Sequence, residues 1–155
     1  MSIFPTKILL ATDGSREAES AAQVAAELVD KTGSELHVVY VEVVPYFAKY
    51  SAGTPSGFDR QLYEEIKEEA QETLRKLTWR VKVAGGAVAE DHLRMGVPGK
   101  EIVSLAEAIG AGLIVMGSRG RGGMRRALMG SVSDSVVRHA HCPVMVVRPE
   151  KQRVR

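Results

Sequence analysis

The sequence predicts an α/β protein: a single doubly wound sheet of five parallel strands, flanked by about four helices. Short, continuous apolar runs, typical of buried parallel strands, alternate with longer segments whose apolar residues recur at three- and four-residue steps. The joints between these segments are mostly short, as in βαβ units, whose crossovers are almost always right-handed. A chain of 155 residues, 45% hydrophobic and 26% charged, has the size and composition of one globular domain.

The first βαβ unit begins at the amino-terminal end of the chain. Lys7–Ala11 is a mostly apolar run and is predicted to be the first strand. The next segment has an apolar helical stripe and ends at Gly33, which is placed to act as a C-cap. The stripe consists of Ala18, Ala21, Ala22, Ala25, Leu28 and Val29. The second strand is predicted to run from Leu36 to Val44.

The middle of the chain contains its least regular segments. Pro45 to about Gly57 is a long loop, either a functional cover or a poorly ordered excursion. A helix is predicted from about Phe58, with a glutamate-rich face in solvent. Trp79–Val83 alternates like a strand, but it also continues the helical stripe. Because Gly85-Gly86 is the stronger stop signal, we extend the helix to about Ala84.

Three further segments complete the predicted sheet, with a helix before and after the fourth strand. Ala87 to about Met95 is the third strand, and an apolar-faced helix follows and closes at Gly110. Leu113–Met116 is the fourth strand, since its short apolar run suits a buried position. A last helix starts near Ser131, where Ser-Val-Ser-Asp is a weak form of the capping box, and Pro143–Val147 is the fifth strand.

A glycine-rich loop joins the fourth strand to the last helix. It reads Gly117-Ser118-Arg119-Gly120, then nine residues, then Gly130-Ser131. Glycines let a backbone approach an anion closely, and a helix start offers unpaired N–H groups with the positive end of the helix dipole. Arg119, Arg121, Arg125 and Arg126 add positive charge. The pattern favours phosphate binding; the alternative is a flexible arginine-glycine loop at the surface.

The spacing Gly-x2-Gly-x9-Gly-Ser after an apolar strand resembles the nucleotide signature of the universal stress protein family. The resemblance extends from about Lys7 to about Arg148 and implies a domain over residues 1–148, followed by a basic tail at 149–155. It implies a Rossmann-like fold of the adenine nucleotide alpha-hydrolase type, with ATP, or AMP or cyclic AMP, as ligand. Many family members have an aspartate where this chain has Gly112, a departure expected to affect packing more than the ligand site.

The same resemblance implies which residues surround the nucleotide. Asp13 would contact the nucleotide or hold Mg²⁺ beside a triphosphate, although from the residues alone it could equally cap the first helix. Val41 would meet adenine through its backbone. The complete set of implied binding residues is Ala11, Thr12, Asp13, Val41, Met116, Gly117, Arg119, Gly120, Gly130, Ser131, Val132 and Ser133.

Two other kinds of chemistry receive little support from the sequence. His139-Ala140-His141-Cys142 has potential metal ligands, but no further His or Cys cluster supplies the remaining partners, and the family's similar segment implies no metal. The sequence has no Ser/His/Asp order typical of a catalytic triad and no paired carboxylates near the glycine loop, so no catalytic residue is assigned. At most weak ATP hydrolysis is expected.

The predicted function is that of a stress-response or regulatory protein that binds an adenine nucleotide with little or no turnover. The alternatives are a slow Mg²⁺-dependent ATPase and a dimeric interaction module that binds no nucleotide. Val144–Val147 offers an apolar edge strand, and the resemblance implies a homodimer built on it. A net charge of +2, one cysteine, and the lack of a membrane-length apolar run or signal peptide favour a cytoplasmic protein without a nucleic-acid or membrane partner.

Overall fold

The computed structural model describes residues 2–44, 57–119 and 129–149. Within these ranges strands and helices alternate along the chain. The strands are β1 (Lys7–Ala11), β2 (Glu35–Glu42), β3 (Val88–Met95), β4 (Leu113–Gly117) and β5 (Val144–Val147). The helices are α1 (Arg16–Thr32), α2 (Gly57–Val83), α3 (Pro98–Ile109) and α4 (Ser131–His139). Most of the predicted loop Pro45–Gly57 lies outside the described residues.

The five strands form one parallel sheet in the order β3-β2-β1-β4-β5, which confirms the predicted doubly wound α/β fold. The order reverses at β1, which pairs with β2 on one side and β4 on the other. Ala11 lies opposite Val39 of β2 and opposite Met116 of β4. The carboxyl ends of these three strands therefore meet at the switch point, where ligands bind in open α/β sheets.

Each face of the sheet carries its own apolar core. On one face, alternate residues of β1 such as Ile8 and Leu10 pack with the alanine stripe of α1 and with Leu74 of α2. On the other face, Leu9 packs with Ile102 of α3, among others. The alternation follows from strand geometry, in which successive side chains point to opposite faces. Burial on both faces explains why the central strands are continuously apolar.

The ambiguous segment Trp79–Val83 belongs to α2, as predicted. Val81 is 3% exposed and packs on the core, whereas Trp79 and Val83 are 66% and 68% exposed. A strand over the same residues would place all three on one face, but the helix separates them. Gly85 follows with φ of 102°, a conformation that favours glycine and ends the helical path. Among the described helices, none has an apolar stretch long enough to cross a membrane.

Candidate functional site

A cavity of about 450 Å³ opens at the carboxyl ends of β1, β2 and β4. The starts of three helices, α1, α3 and α4, also contribute to its wall. The lining residues are Ala11, Thr12, Asp13, Ser15, Ala18, Val39, Val41, Val43, Pro98, Ile102, Met116, Gly117, Arg119, Gly130, Ser131, Val132 and Ser133. The volume is within the range of small-molecule sites.

The structure brings the residues predicted for the nucleotide site together around this cavity. All of them line it except Gly120, which lies outside the described residues together with Arg121, Arg125 and Arg126. They come from the ends of β1, β2 and β4 and from the start of α4, which are far apart in sequence except for the last two. They meet because parallel strands bring their carboxyl ends to one edge of the sheet.

Six further lining residues were not predicted: Ser15, Ala18, Val39, Val43, Pro98 and Ile102. Four of them could have been found from position alone. Ser15 and Ala18 follow the end of β1 by only a few residues, and Val39 and Val43 are two residues on either side of Val41. Pro98 and Ile102 depend on how α3 crosses the sheet, which no local pattern reveals.

The turn between β1 and α1 is built by side-chain caps. The Ser15 backbone N–H donates to Oδ1 of Asp13 at 2.9 Å, and the Ala18 N–H donates to Oγ of Ser15 at 3.2 Å. Ser15 is therefore the N-cap of α1, and the alternative assignment of that role to Asp13 is wrong. Asp13 instead holds the residue before the helix through its bond to the Ser15 N–H, and Asp13 is also a residue of the cavity wall.

The start of α4 is held by backbone groups instead of the predicted capping box. Gly130 is the N-cap residue, without a side-chain cap, and its N–H donates to the Ser118 carbonyl at 2.6 Å. The buried Ser133 hydroxyl lies 2.7 Å from the Ser118 carbonyl oxygen and 3.1 Å from that of Gly130. Since this hydroxyl donates to the backbone, Ser133 would offer a ligand its backbone N–H, as Ser131 and Val132 do.

Gly117 is required by a close approach between β4 and α1. A Cβ atom built at Gly117 would lie 2.7 Å from Cβ of Glu17 and 3.0 Å from the backbone nitrogen of Ala18. The neighbouring atoms are mostly helix backbone, which cannot move aside easily. The glycine therefore brings the first turn of α1 against the end of β4, on the border of the cavity.

The cavity combines an apolar wall with a positive end. Val39, Val41, Ile102 and Met116 provide apolar side chains that suit a flat ring. The first turn of α4 supplies the N–H groups of Ser131, Val132 and Ser133 and the positive end of a helix dipole. The starts of α1 and α3 lie in the same wall, and Arg119 adds a full positive charge. Such an arrangement can hold a ligand with an aromatic part and an anionic part.

The segment considered for a metal site has other partners. His139 Nδ1 lies 2.8 Å from the Ser135 carbonyl oxygen of its own helix, and His141 Nε2 lies 3.0 Å from Oε1 of Glu107. Burial raises the pKa of the Cys142 thiol above its usual value, which keeps it protonated at neutral pH. In the described part of the chain, these residues do not form a group of three potential ligands.

A doubly wound sheet with helix starts around a cavity at its switch point defines a class of α/β proteins that bind anionic ligands beyond the ends of their strands. The family model for universal stress proteins matches residues 5–148, and the chain belongs to this family. It is 39% identical to a universal stress protein of Methanocaldococcus jannaschii, over 94% of this chain and 84% of that protein.

Solved structures have the same fold. Universal stress protein UspA of Lactobacillus plantarum superposes with a TM-score of 0.73 at 25% identity, covering 94% of this chain and 99% of that one. The universal stress protein of Archaeoglobus fulgidus in complex with dAMP gives a TM-score of 0.63 at 26% identity, covering 94% and 99% of the two chains.

Proposed function

We propose that this chain is a cytoplasmic stress-response regulator that binds an adenine nucleotide, with ATP the favoured ligand, in the cavity at the end of β1, β2 and β4. The observation that carries the proposal is the convergence of helix starts and an apolar wall on one cavity. The similar Archaeoglobus fulgidus protein is known in complex with dAMP, an adenine nucleotide, which supports the same class of ligand here.

The proposed orientation follows from the chemistry of the wall. Adenine would lie between the apolar side chains of β2 and β4, with Val41 meeting the ring edge through its backbone. The ribose hydroxyls would donate to Asp13, because a carboxylate is an acceptor only. The phosphates would lie at the start of α4, where the N–H groups of Ser131, Val132 and Ser133 and the charge of Arg119 favour anions.

The Asp13 carboxylate is also a suitable ligand for a magnesium ion bound to a triphosphate. Mg²⁺ is usually bound by one or two carboxylates together with substrate phosphates, and Asp13 is a carboxylate in the wall of this cavity. This observation also favours the second candidate function, a slow Mg²⁺-dependent ATPase. In that case the ion would neutralise phosphate charge, while the residues of α4 position the phosphates.

We also propose that the protein acts as a homodimer whose partner contacts respond to the nucleotide. β5 pairs only with β4 in the described sheet, so its other edge is available for pairing with a second chain. Met145 on this strand is 37% exposed, which leaves apolar surface at the edge. Because β4 lies between β5 and β1, the edge strand is connected to the cavity through one strand.

Acid extraction and chromatography of the purified protein, followed by calorimetric titration with ATP, test the binding proposal. We expect adenine nucleotide in the extract, and we expect Gly130→Asp to weaken ATP binding at least tenfold. The matched control is Gly130→Asn, which has nearly the same shape and is an equally good N-cap but lacks the charge. A smaller loss with asparagine locates the phosphates at α4.

The outcomes separate the candidate functions. An empty protein that ignores ATP with and without Mg²⁺ overturns nucleotide binding and favours an interaction module. Repeated turnover of ATP that disappears in Asp13→Ala, with the fold intact by circular dichroism, favours the ATPase. Binding without turnover favours the switch.

A further inference from the structure

A second cluster of polar side chains lies on the β2–β3 pair, and none of them lines the nucleotide cavity. His37 is buried on the face of the sheet that also carries Val39. In the register of the two strands, Glu90 lies opposite His37 and His92 lies opposite Val39. His37 precedes Val39, a residue of the cavity wall, by two residues, or about 7 Å along an extended strand.

The ligand atoms of three of these side chains converge. Nδ1 of His37 lies 3.1 Å from Nε2 of His92, and Oε2 of Glu90 lies 4.0 Å from each of these two nitrogens. In a tetrahedral zinc site with bonds of 2.0–2.1 Å, ligand atoms lie about 3.3 Å apart. The two imidazoles are already close to that separation. The Glu90 side chain is 63% exposed, so its carboxylate has room to move the remaining distance of about 0.7 Å.

Glu35 orients the buried imidazole for this role. Its Oε2 lies 3.2 Å from Nε2 of His37, a distance at which the Nε2–H donates to the carboxylate. When the proton is at Nε2, the lone pair of the ring is at Nδ1, the nitrogen that lies 3.1 Å from Nε2 of His92. This carboxylate–histidine arrangement recurs behind metal-binding histidines, where it fixes the tautomer and raises the basicity of the ligand.

The His92 side chain is largely buried. Burial lowers the pKa of its imidazole, an effect that outweighs the opposing attraction of Glu90. A structural alternative exists, in which the two rings simply share one hydrogen bond, but it gives the nearby Glu90 carboxylate no role.

We propose that His37, His92 and Glu90 bind a divalent transition-metal ion, of which Zn²⁺ is the best fit, with Glu35 as a positioning residue. Two imidazoles and one carboxylate are a ligand set suited to zinc, and the fourth position is open to water. The ion would join the edge strand β3 to β2 and so stabilise that side of the sheet. The proposal is independent of the nucleotide site.

The test uses the full chain without a histidine tag and without nucleotide. Titration calorimetry with Zn²⁺ and the visible absorption of Co²⁺ measure binding, with one equivalent expected for the wild type. His92→Gln and Glu90→Gln are expected to weaken binding more than about tenfold, and Glu35→Gln by about 10–100-fold. The matched control is His141→Gln, because His141 is an exposed histidine that pairs with a single carboxylate, Glu107.

A thermal readout distinguishes a bound ion from a general effect of metal. Zn²⁺ should raise the melting temperature of the wild type and of His141→Gln, but not that of His92→Gln. The exposed Glu90 side chain makes Glu90→Gln a variant that keeps its fold even if His92→Gln does not. A wild type that binds neither ion, or a Glu90→Gln variant that binds as the wild type does, overturns the proposal and leaves a hydrogen-bonded pair of histidines.

Discussion

At the residue scale, two glycines beside β4 are needed for different reasons. Gly117 touches the backbone of α1, which is fixed by the helix. Gly112 touches a side chain instead: a Cβ atom built there would overlap Oγ1 of Thr6 and lie 3.1 Å from its Cγ2. The aspartate that many family members have at this position therefore could not fit against Thr6 without a shift. The contact with Thr6 gives the departure from the family pattern a packing consequence.

This contact predicts an energetic coupling between positions 112 and 6. Gly112→Ala should lower the free energy of unfolding by about 1–3 kcal/mol, the usual cost of overpacking. In a Thr6→Ala background the same substitution should cost clearly less, because the hydroxyl and methyl groups that it meets are gone. Urea denaturation of the wild type, both single variants and the double variant measures the coupling.

Gly117→Ala is the matched control for this double-mutant cycle. The Cβ atom of Gly117→Ala would clash with the Glu17 side chain and with helix backbone, not with Thr6. The loss in free energy of unfolding caused by Gly117→Ala should therefore be the same with and without Thr6→Ala. If Gly112→Ala lowered the free energy of unfolding equally in the wild-type and Thr6→Ala backgrounds, the contact with Thr6 would not be the reason for glycine at position 112. The conformation of the turn would then be the reason.

At the element scale, the boundaries of helices could be predicted where a strong local signal exists. Gly33 and Gly110 both end helices in the left-handed conformation, and each was expected from its position after an apolar stripe. The start of α4 was predicted with the wrong cap. The residues of the capping box are present, but the helix begins one residue earlier than that pattern requires. Gly130 is the N-cap, and its N–H donates to the Ser118 carbonyl, a contact that fixes where the helix starts.

The Ser133 hydroxyl connects the start of α4 to the end of β4 by a hydrogen bond. It links the first turn of α4 to the Ser118 carbonyl at the end of β4. We therefore expect Ser133→Ala to lower the free energy of unfolding by about 1 kcal/mol, the typical net contribution of a hydrogen bond. Chemical denaturation measures this loss.

Ser131→Ala is the matched control, because Ser131 belongs to the same turn but is exposed. Its stability should stay within about 0.5 kcal/mol of the wild type, as for most surface substitutions. If the two variants lost equal stability, the buried hydroxyl would have no special part in holding the helix to the strand.

At the scale of the whole molecule, the doubly wound parallel sheet could be predicted from the alternation of apolar runs and helical stripes, and most of the residues in the cavity wall could be predicted from the family resemblance. Each predicted strand end contributes a segment to the same edge of the sheet. Contacts between distant elements could not be predicted: Ile102 reaches the cavity only because α3 crosses that face, and His37 meets His92 across 55 positions of sequence. Local periodicity contains no information about such pairings.

The outer edge of β5 is where the proposed homodimer would form. The carbonyls of Pro143 and Val147 accept hydrogen bonds from Ile114 and Ser118, at the start and the end of the β4–β5 ladder. In a parallel ladder, alternate residues bond to the same neighbour. Val144 and Val146 therefore direct their backbone groups to the free edge, where a second β5 could pair with them.

We predict that Val146→Pro converts the proposed homodimer to a monomer, because proline removes an outward N–H that edge pairing needs while leaving the bonds to β4 in place. Val146→Ala is the matched control, since it retains the N–H and should remain dimeric. Sedimentation velocity at micromolar concentration distinguishes the two species. Equal weakening by alanine and proline would mean that side chains, not strand pairing, hold the dimer, and a monodisperse wild-type monomer would contradict the dimer itself.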